Sequence, residues 1–301
     1  MKEREKHVDT KDSMTRFINS VQNEPLVQVH PSLDGINPKS LIEGASIYYG
    51  TGLCTTRKLS DALPFDVLAM VLVAEKIRRG AGMKTIYHHI ADTHAKSNAI
   101  FSDEEVNRRA SDTRETLERM VQNLGLKNFK ILFASEFDQT PEYREIYEGV
   151  DTKKHDYVRR EVTDMEWYRR HRGVAVKLGW IIQAAETDLG FDERVFDKEY
   201  RAKIGGGLSF IYLKPGRTFD KSRPRVSPYI HIPGETRILL KPGEGAKGKI
   251  LEAEKRLKDK HLGGARRNLV NIVRLYEKLF GSLGDTPFED KIQTIIDKVT
   301  K

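Results

Sequence analysis

Three short stretches of this chain combine residue types that can do chemistry. In Gly50-Thr51-Gly52-Leu53-Cys54-Thr55-Thr56, glycines permit a tight turn and close backbone approach to a ligand, among hydroxyl and thiol side chains. It is not a Walker loop, because no Gly-Lys-Ser/Thr follows, nor the full Gly-x-Gly-x-x-Gly fingerprint. Cys54 is its candidate nucleophile, although a lone cysteine more often packs as a small hydrophobe. The second stretch, Asp92-Thr93-His94, sets a carboxylate beside an imidazole, a pairing suited to orienting a substrate amine or to acid–base catalysis. Its plainer reading is an Asp92 cap and a satisfied loop histidine. Third, Gln183 and Glu186 lie on one face of a run read as a helix over Val174–Leu189, among Trp180, Ile181, Ile182, Ala184 and Ala185. A polar pair on an apolar stripe needs partners when buried, either a ligand's amine or guanidinium or other side chains. His88 and His89 fall inside a strand pattern, point to opposite faces and read as structural. The nine histidines show no metal-ligand spacing and the single cysteine argues against zinc, so no metal site is expected.

These stretches must be held by the elements around them. Ala45–Tyr49, Thr85–Ala91 and Lys130–Ala134 read as strands. Pro64 opens an apolar helix through Phe65–Val73, with Lys76, Arg78 and Arg79 before Gly80. Ser102-Asp103-Glu104-Glu105 has the form of a capping box, starting a helix that runs to about Leu124 and stops at Gly125. Helical patterns occupy 141–149 and 156–189, the latter interrupted near Gly173. Further β runs are Leu208–Leu213, Tyr229–Ile232 and Arg237–Leu240, and 244–299 reads as charged and helical throughout. Alternating strands and helices predict an α/β fold, a Rossmann-like parallel sheet with helices on both faces plus C-terminal helices. Ligands of such sheets bind beyond the carboxyl ends of the strands, at the switch point. That rule nominates Gly50–Thr56, Asp92–Asn98 and Ser135–Thr140 as walls of one crevice.

Composition narrows the partners. The 301 residues carry a net charge of +8 and one cysteine, which excludes an internal disulfide framework. With no apolar leader at the start and no run of roughly 20 apolar residues, the chain is expected to be cytoplasmic and not a membrane protein. Between Lys214 and Arg225, five basic residues (Lys214, Arg217, Lys221, Arg223 and Arg225) face only Asp220 in a Pro- and Gly-containing loop, a candidate anion site. From Lys241 to Arg267 nine basic residues oppose four acids, either a solvated helical face or a nucleic-acid surface.

Ile90-Ala91-Asp92-Thr93-His94-Ala95 resembles the Ile-Ala-Asp-x-His-Ala stretch of tyrosyl-tRNA synthetases, and Gln183-Ala184-Ala185-Glu186 resembles the Gln-Ala-Ala-Asp element of their amino-acid pocket. The capping-box helix, Gly125-Leu126 and the strand ending in Ser135-Glu136 follow in the same order, so the resemblance spans roughly 45–240. It departs at the two ATP motifs. Ala62-Leu63-Pro64-Phe65-Asp66 stands where a class I synthetase has His-x-Gly-His, and Arg223-Pro224-Arg225-Val226-Ser227-Pro228-Tyr229 stands where it has Lys-Met-Ser-Lys-Ser. Cyclodipeptide synthases, a branch of the same fold, lack both motifs. Asp92-Thr93-His94 and Ser135-Glu136-Phe137-Asp138-Gln139-Thr140-Pro141-Glu142-Tyr143-Arg144 are similar to stretches of that branch. Its Gly-x-Ser nucleophile appears here as Gly50-Thr51-Gly52, and its Tyr-x-x-x-Glu pair aligns with Trp180 and Ala184.

The resemblance implies a Rossmann-like catalytic domain over 41–240, after an N-terminal extension (1–40) and before a C-terminal helical region (241–301). The function it implies first is tRNA-dependent aminoacyl transfer without a cofactor, from aminoacylated tRNA. The catalytic residues would be Thr51, Cys54, Asp92 and His94, with Gly50, Gly52, Gln183 and Glu186 around the amino acid. Arg217, Lys221, Arg223 and Arg225 would meet phosphate or tRNA. The alternatives are a tyrosyl-type ligase that uses ATP despite altered phosphate motifs, and a non-catalytic RNA-binding relic of the fold. A homodimer is compatible with each.

Overall fold

The structure is a computed structural model and describes residues 45–51, 63–97, 101–150, 156–180, 208–213 and 264–300, with Val27–His30, Leu239–Leu240, Tyr200 and a few positions between 15 and 19. The strands are β1 (Val27–His30), β2 (Ser46–Thr51), β3 (Leu63–Pro64), β4 (Ile86–Ile90), β5 (Phe129–Phe133), β6 (Val174–Trp180), β7 (Ser209–Leu213) and β8 (Leu239–Leu240). The helices are α1 (Phe65–Ala81), α2 (Asp92–Ser97), α3 (Asp103–Asn123), α4 (Pro141–Gly149), α5 (Asp156–Arg172), α6 (Gly264–Phe280) and α7 (Phe288–Thr300).

The main sheet has the order β1-β7-β6-β2-β4-β5, and β3 pairs with β8 in a separate two-stranded ribbon. β2 lies parallel to both β4 and β6, β4 to β5, and β6 to β7, while β1 runs antiparallel along β7. The chain works outward from β2 to β4 and β5, then returns to β6 on the other side. The order therefore reverses between β2 and β6, where a doubly wound sheet opens its crevice.

Helices cover both faces, as continuous apolar strands require. Ile47, Tyr49, Ile86 and Ile90 face a core built with α1, α3, α6 and α7. Val67 to Ala74 of α1 are all buried, the pattern of a helix enclosed on every side. Glu75 anchors the end of α1 by binding Arg78 and Arg79, and Arg79 donates to the Leu279 carbonyl at 2.9 Å, tying α1 to α6. On the opposite face Tyr48 and Tyr87 pack with Phe137, Tyr143, Met165, Trp167 and Tyr168 of the α4–α5 layer. Ser102 caps α3, its Oγ accepting from the Glu105 amide at 3.3 Å, while the Glu105 carboxylate accepts from Arg108 and Arg109 instead of closing the box.

The predicted architecture is observed, with corrections. Val174–Trp180 is a strand, where a helix over 174–189 was expected. Gly173, at φ +61°, ends α5 in the left-handed conformation, and the apolar run after it is a central strand covered on both faces. Within the N-terminal extension, Val27–His30 forms β1 and joins the main sheet beside β7. The C-terminal segment is not helical throughout. It breaks at Gly281 (φ +101°) and Gly284 (φ +82°) ahead of Pro287, and buried Ile272, Leu275, Ile292 and Ile295 join the main core. Tyr229–Ile232 and 244–263 lie outside the described residues. No described helix is long and apolar enough to cross a membrane.

Candidate functional site

Parallel register brings the ends of β2, β4 and β5 together. Gly50 stands opposite His89, Thr51 opposite Ile90, and Ile90 opposite Phe133. Two bonds lock the turns beyond these ends. The Ala91 amide donates to the Thr51 carbonyl at 3.3 Å, and the Ser135 amide donates to Asp92 Oδ1 at 3.1 Å. The turns at Gly50, Asp92 and Ser135 thus share one edge of the sheet beside the switch point.

Strand alternation sends the side chains of this edge to two sides. On the α1 side, Thr51 Oγ1 lies 2.8 Å from His88 Nε2, and His88 Nδ1 lies 3.1 Å from the Tyr49 hydroxyl. Burial, reinforced by the neighbouring His89, pushes the His88 imidazole down to about 3, so it is neutral at physiological pH. A hydroxyl at the crevice mouth bonded to a neutral imidazole is the geometry of a nucleophile and base, or of a hydroxyl fixed to orient a ligand.

On the α5 side, a denser constellation is buried. His94 points from α2 to α5, where its Nε2 lies 3.3 Å from Asp164 Oδ2 and its Nδ1 lies 3.8 Å from Glu161 Oε1. His89 Nε2 is also 3.3 Å from Asp164 Oδ2, and its Nδ1 is 3.4 Å from the Tyr168 hydroxyl. Tyr143 donates its hydroxyl proton to Asp164 Oδ1 at 2.8 Å. Burial would raise the Asp164 carboxyl, but the flanking imidazoles outweigh it and hold the group well below the usual carboxylate range. Burial would likewise lower His94, yet the charges of Asp164 and Glu161 outweigh it and raise the imidazole. Burial, reinforced by Asp164, raises the Tyr143 phenol, so it remains a donor. The donor atoms of His89, His94 and Asp164 lie within 4.8 Å of one another and can hold a metal ion, a grouping that sequence spacing did not suggest.

Of the residues nominated from sequence, Gly50, Thr51, Asp92 and His94 meet at this edge. Asp92 turns to the Ser135 amide, while His94 turns away to α5. Gly52, Cys54, Gln183, Glu186, Arg217, Lys221, Arg223 and Arg225 lie outside the described residues. His88, His89, Tyr143, Glu161, Asp164 and Tyr168 were missed as site residues. One signal was available, since Glu161, Asp164 and Tyr168 recur at helical spacing on the α5 face that packs against the sheet.

No protein-family model matches the sequence, and no curated protein matches it significantly. Solved structures of similar shape include tyrosyl-tRNA synthetase complexed with L-tyrosine from Archaeoglobus fulgidus, at TM-score 0.56 and 15% identity, covering 97% of this chain and 98% of that one. Tryptophanyl-tRNA synthetase from Plasmodium falciparum is similar at TM-score 0.54 and 12% identity, over 97% of this chain and 88% of that one. The tryptophan-bound tryptophanyl-tRNA synthetase from Encephalitozoon cuniculi is similar at TM-score 0.53 and 13% identity, over 85% of this chain and 78% of that one. The chain therefore has the fold of class I aminoacyl-tRNA synthetases of the tyrosyl and tryptophanyl type.

Proposed function

We propose that this protein is a synthetase-like ligase that binds an amino acid at the ends of β2 and β4 and activates its carboxyl group with ATP, tRNA being the acceptor. The observation that carries this reading is the crevice edge itself, with Gly50, Thr51, Asp92 and Ser135 tied side by side at the carboxyl ends of parallel strands. Shape likeness over nearly the full length of a tyrosyl-tRNA synthetase supports it, and favours ATP-dependent activation over the transfer chemistry of cyclodipeptide synthases.

In this reading Gly50 and Gly52 let the ligand approach the backbone, and the Thr51 hydroxyl, held by His88, orients it. Gln183 and Glu186 supply polar contacts to the amino acid, Glu186 suiting a cationic group. His94, on α2, holds Glu161 beside the crevice, where a partly exposed carboxylate suits the substrate ammonium. Activation joins the amino-acid carboxylate to the α-phosphorus of ATP and expels pyrophosphate. The motifs that usually stabilise that charge are altered, and Arg217, Lys221, Arg223 and Arg225 are the cations available to replace them.

Amino-acid-dependent exchange of labelled pyrophosphate into ATP tests the proposal, and exchange with at least one amino acid is the expected result. Cyclic dipeptides formed from charged tRNA without exchange would move the assignment to aminoacyl transfer. Absence of both activities would overturn an aminoacyl function.

A further inference from the structure

We propose that His89 Nε2, His94 Nε2 and Asp164 Oδ2 form a binding site for a divalent transition metal, zinc being the best fit. The three side chains are no more than 3% exposed, and their donor atoms lie within 4.8 Å of one another. Asp164 Oδ2 stands 3.3 Å from each imidazole nitrogen. Ligands at about 2.0–2.2 Å from a tetrahedral zinc are separated from each other by roughly 3.3–3.6 Å. Both Asp164–imidazole distances already match that spacing, and the imidazole nitrogens lie within 4.8 Å of each other, so a small closing movement completes the site.

Two further observations point the same way. Asp164 Oδ2 and His89 Nε2 are buried, yet neither makes a hydrogen bond of proper alignment despite their proximity. Buried polar atoms left in that condition are costly, and coordination to a shared ion satisfies both. The groups behind the cluster also orient it. Tyr143 occupies Asp164 Oδ1 and leaves Oδ2 to face the imidazoles, the Tyr168 hydroxyl sits behind His89 Nδ1, and Glu161 sits behind His94 Nδ1. A carboxylate or hydroxyl behind each ligand is how metal-binding imidazoles are fixed in orientation.

Imidazole donors select zinc, cobalt, nickel or iron(II) over magnesium and calcium, which take oxygen. Three protein ligands leave a fourth position for water or a substrate group. Because the ligands are buried, the ion enters as the chain folds, and its binding energy becomes folding energy. The metal site is independent of the aminoacyl reading, since a chain that activates no amino acid can still hold the ion.

The test uses the full chain, purified from zinc-supplemented cells for elemental analysis, and also unfolded with chelator and refolded with zinc or cobalt. Expected are about one ion per chain, a higher melting temperature with zinc, and the visible absorption of four-coordinate cobalt. Tyr143→Phe, which removes only the hydroxyl behind Asp164, lowers zinc affinity roughly 10–100-fold. Asp164→Asn removes uptake, and if it fails to fold, the Tyr143→Phe affinity and the cobalt spectrum still decide. A folded wild-type chain without metal, zinc response or cobalt absorption overturns the proposal. Undiminished binding by folded Asp164→Asn, or by Tyr143→Phe, overturns it as well.

Discussion

Thr51 Oγ1 sits 2.8 Å from His88 Nε2, a bond between neighbouring parallel strands at the point where β2 delivers the chain to the crevice. Under ATP-dependent activation Thr51 orients substrate and is not acylated. Thr51→Ala is expected to slow pyrophosphate exchange by no more than about tenfold, the kinetic equivalent of one hydrogen bond. Mass spectrometry of the wild type incubated with charged tRNA should find no acyl-enzyme. An acylated Thr51 peptide would support the transfer mechanism.

Gly50 offers a cleaner probe of ligand approach. A Cβ built there would meet His89 Cδ2 at 3.4 Å and the Tyr48 hydroxyl at 3.5 Å, ordinary contact distances. The fold therefore tolerates Gly50→Ala, with a melting temperature close to wild type. If the bare backbone is needed for a ligand, the same substitution raises the amino-acid KM. Unchanged kinetics would remove Gly50 from the site.

Glu75 gives a prediction for pH. Burial would raise its carboxyl, but hydrogen bonds and charges from Arg78 and Arg79 outweigh that and lower it below 4.5. A carboxyl depressed in the folded state adds stability above its unfolded pKa and loses it as pH falls through the folded pKa. Glu75→Gln is expected to cost about 2 kcal/mol at neutral pH, by denaturant titration, because hydrogen bonds to charged groups are lost. The gap from wild type should narrow progressively as pH falls below 4.5. A gap independent of pH would show that the charge is not what stabilises this end of α1.

Gly173 holds the junction of α5 and β6 at φ +61°, and a Cβ there meets nothing within 4 Å. Gly173→Ala should destabilise by roughly 1 kcal/mol through backbone strain alone, and Gly173→Asn by less, because asparagine tolerates this conformation. Equal costs for both would contradict a backbone origin.

The predicted basic surface is read through salt. Replacing Arg217, Lys221, Arg223 and Arg225 together with alanine should weaken tRNA binding and flatten its dependence on salt, by about 0.7–0.9 in logarithmic slope for each phosphate deprived of its cation. A filter-binding series at several salt concentrations measures it. An unchanged slope would exclude this loop from the tRNA surface.

The crevice edge was legible because strand ends announce themselves locally. Apolar runs stop at Gly50, Asp92 and Ser135, and parallel sheets bind ligands beyond such stops. The α5–β6 region was read as a helix although Val174, Val176, Leu178 and Trp180 alternate with Ala175, Lys177 and Gly179, the period of a strand that Gly173 separates from α5. The cluster of His89, His94 and Asp164 is joined by the packing of α5 on the sheet, which brings Asp164 to two histidines of the β4–α2 segment, so spacing along the sequence does not reveal the grouping. His88 and His89 were correctly sent to opposite faces by strand period. What each meets there depends on tertiary packing, Thr51 and Tyr49 for one, Asp164 and Tyr168 for the other.

The central claim is that the β2–β4 edge holds an activated amino acid. Calorimetric titration of the full chain with a panel of non-hydrolysable aminoacyl-adenylate analogues tests it most directly. The account predicts saturable binding of at least one analogue, weakened by Gly50→Val. A folded chain that binds none of them, or binds one equally well with Gly50→Val, would contradict it.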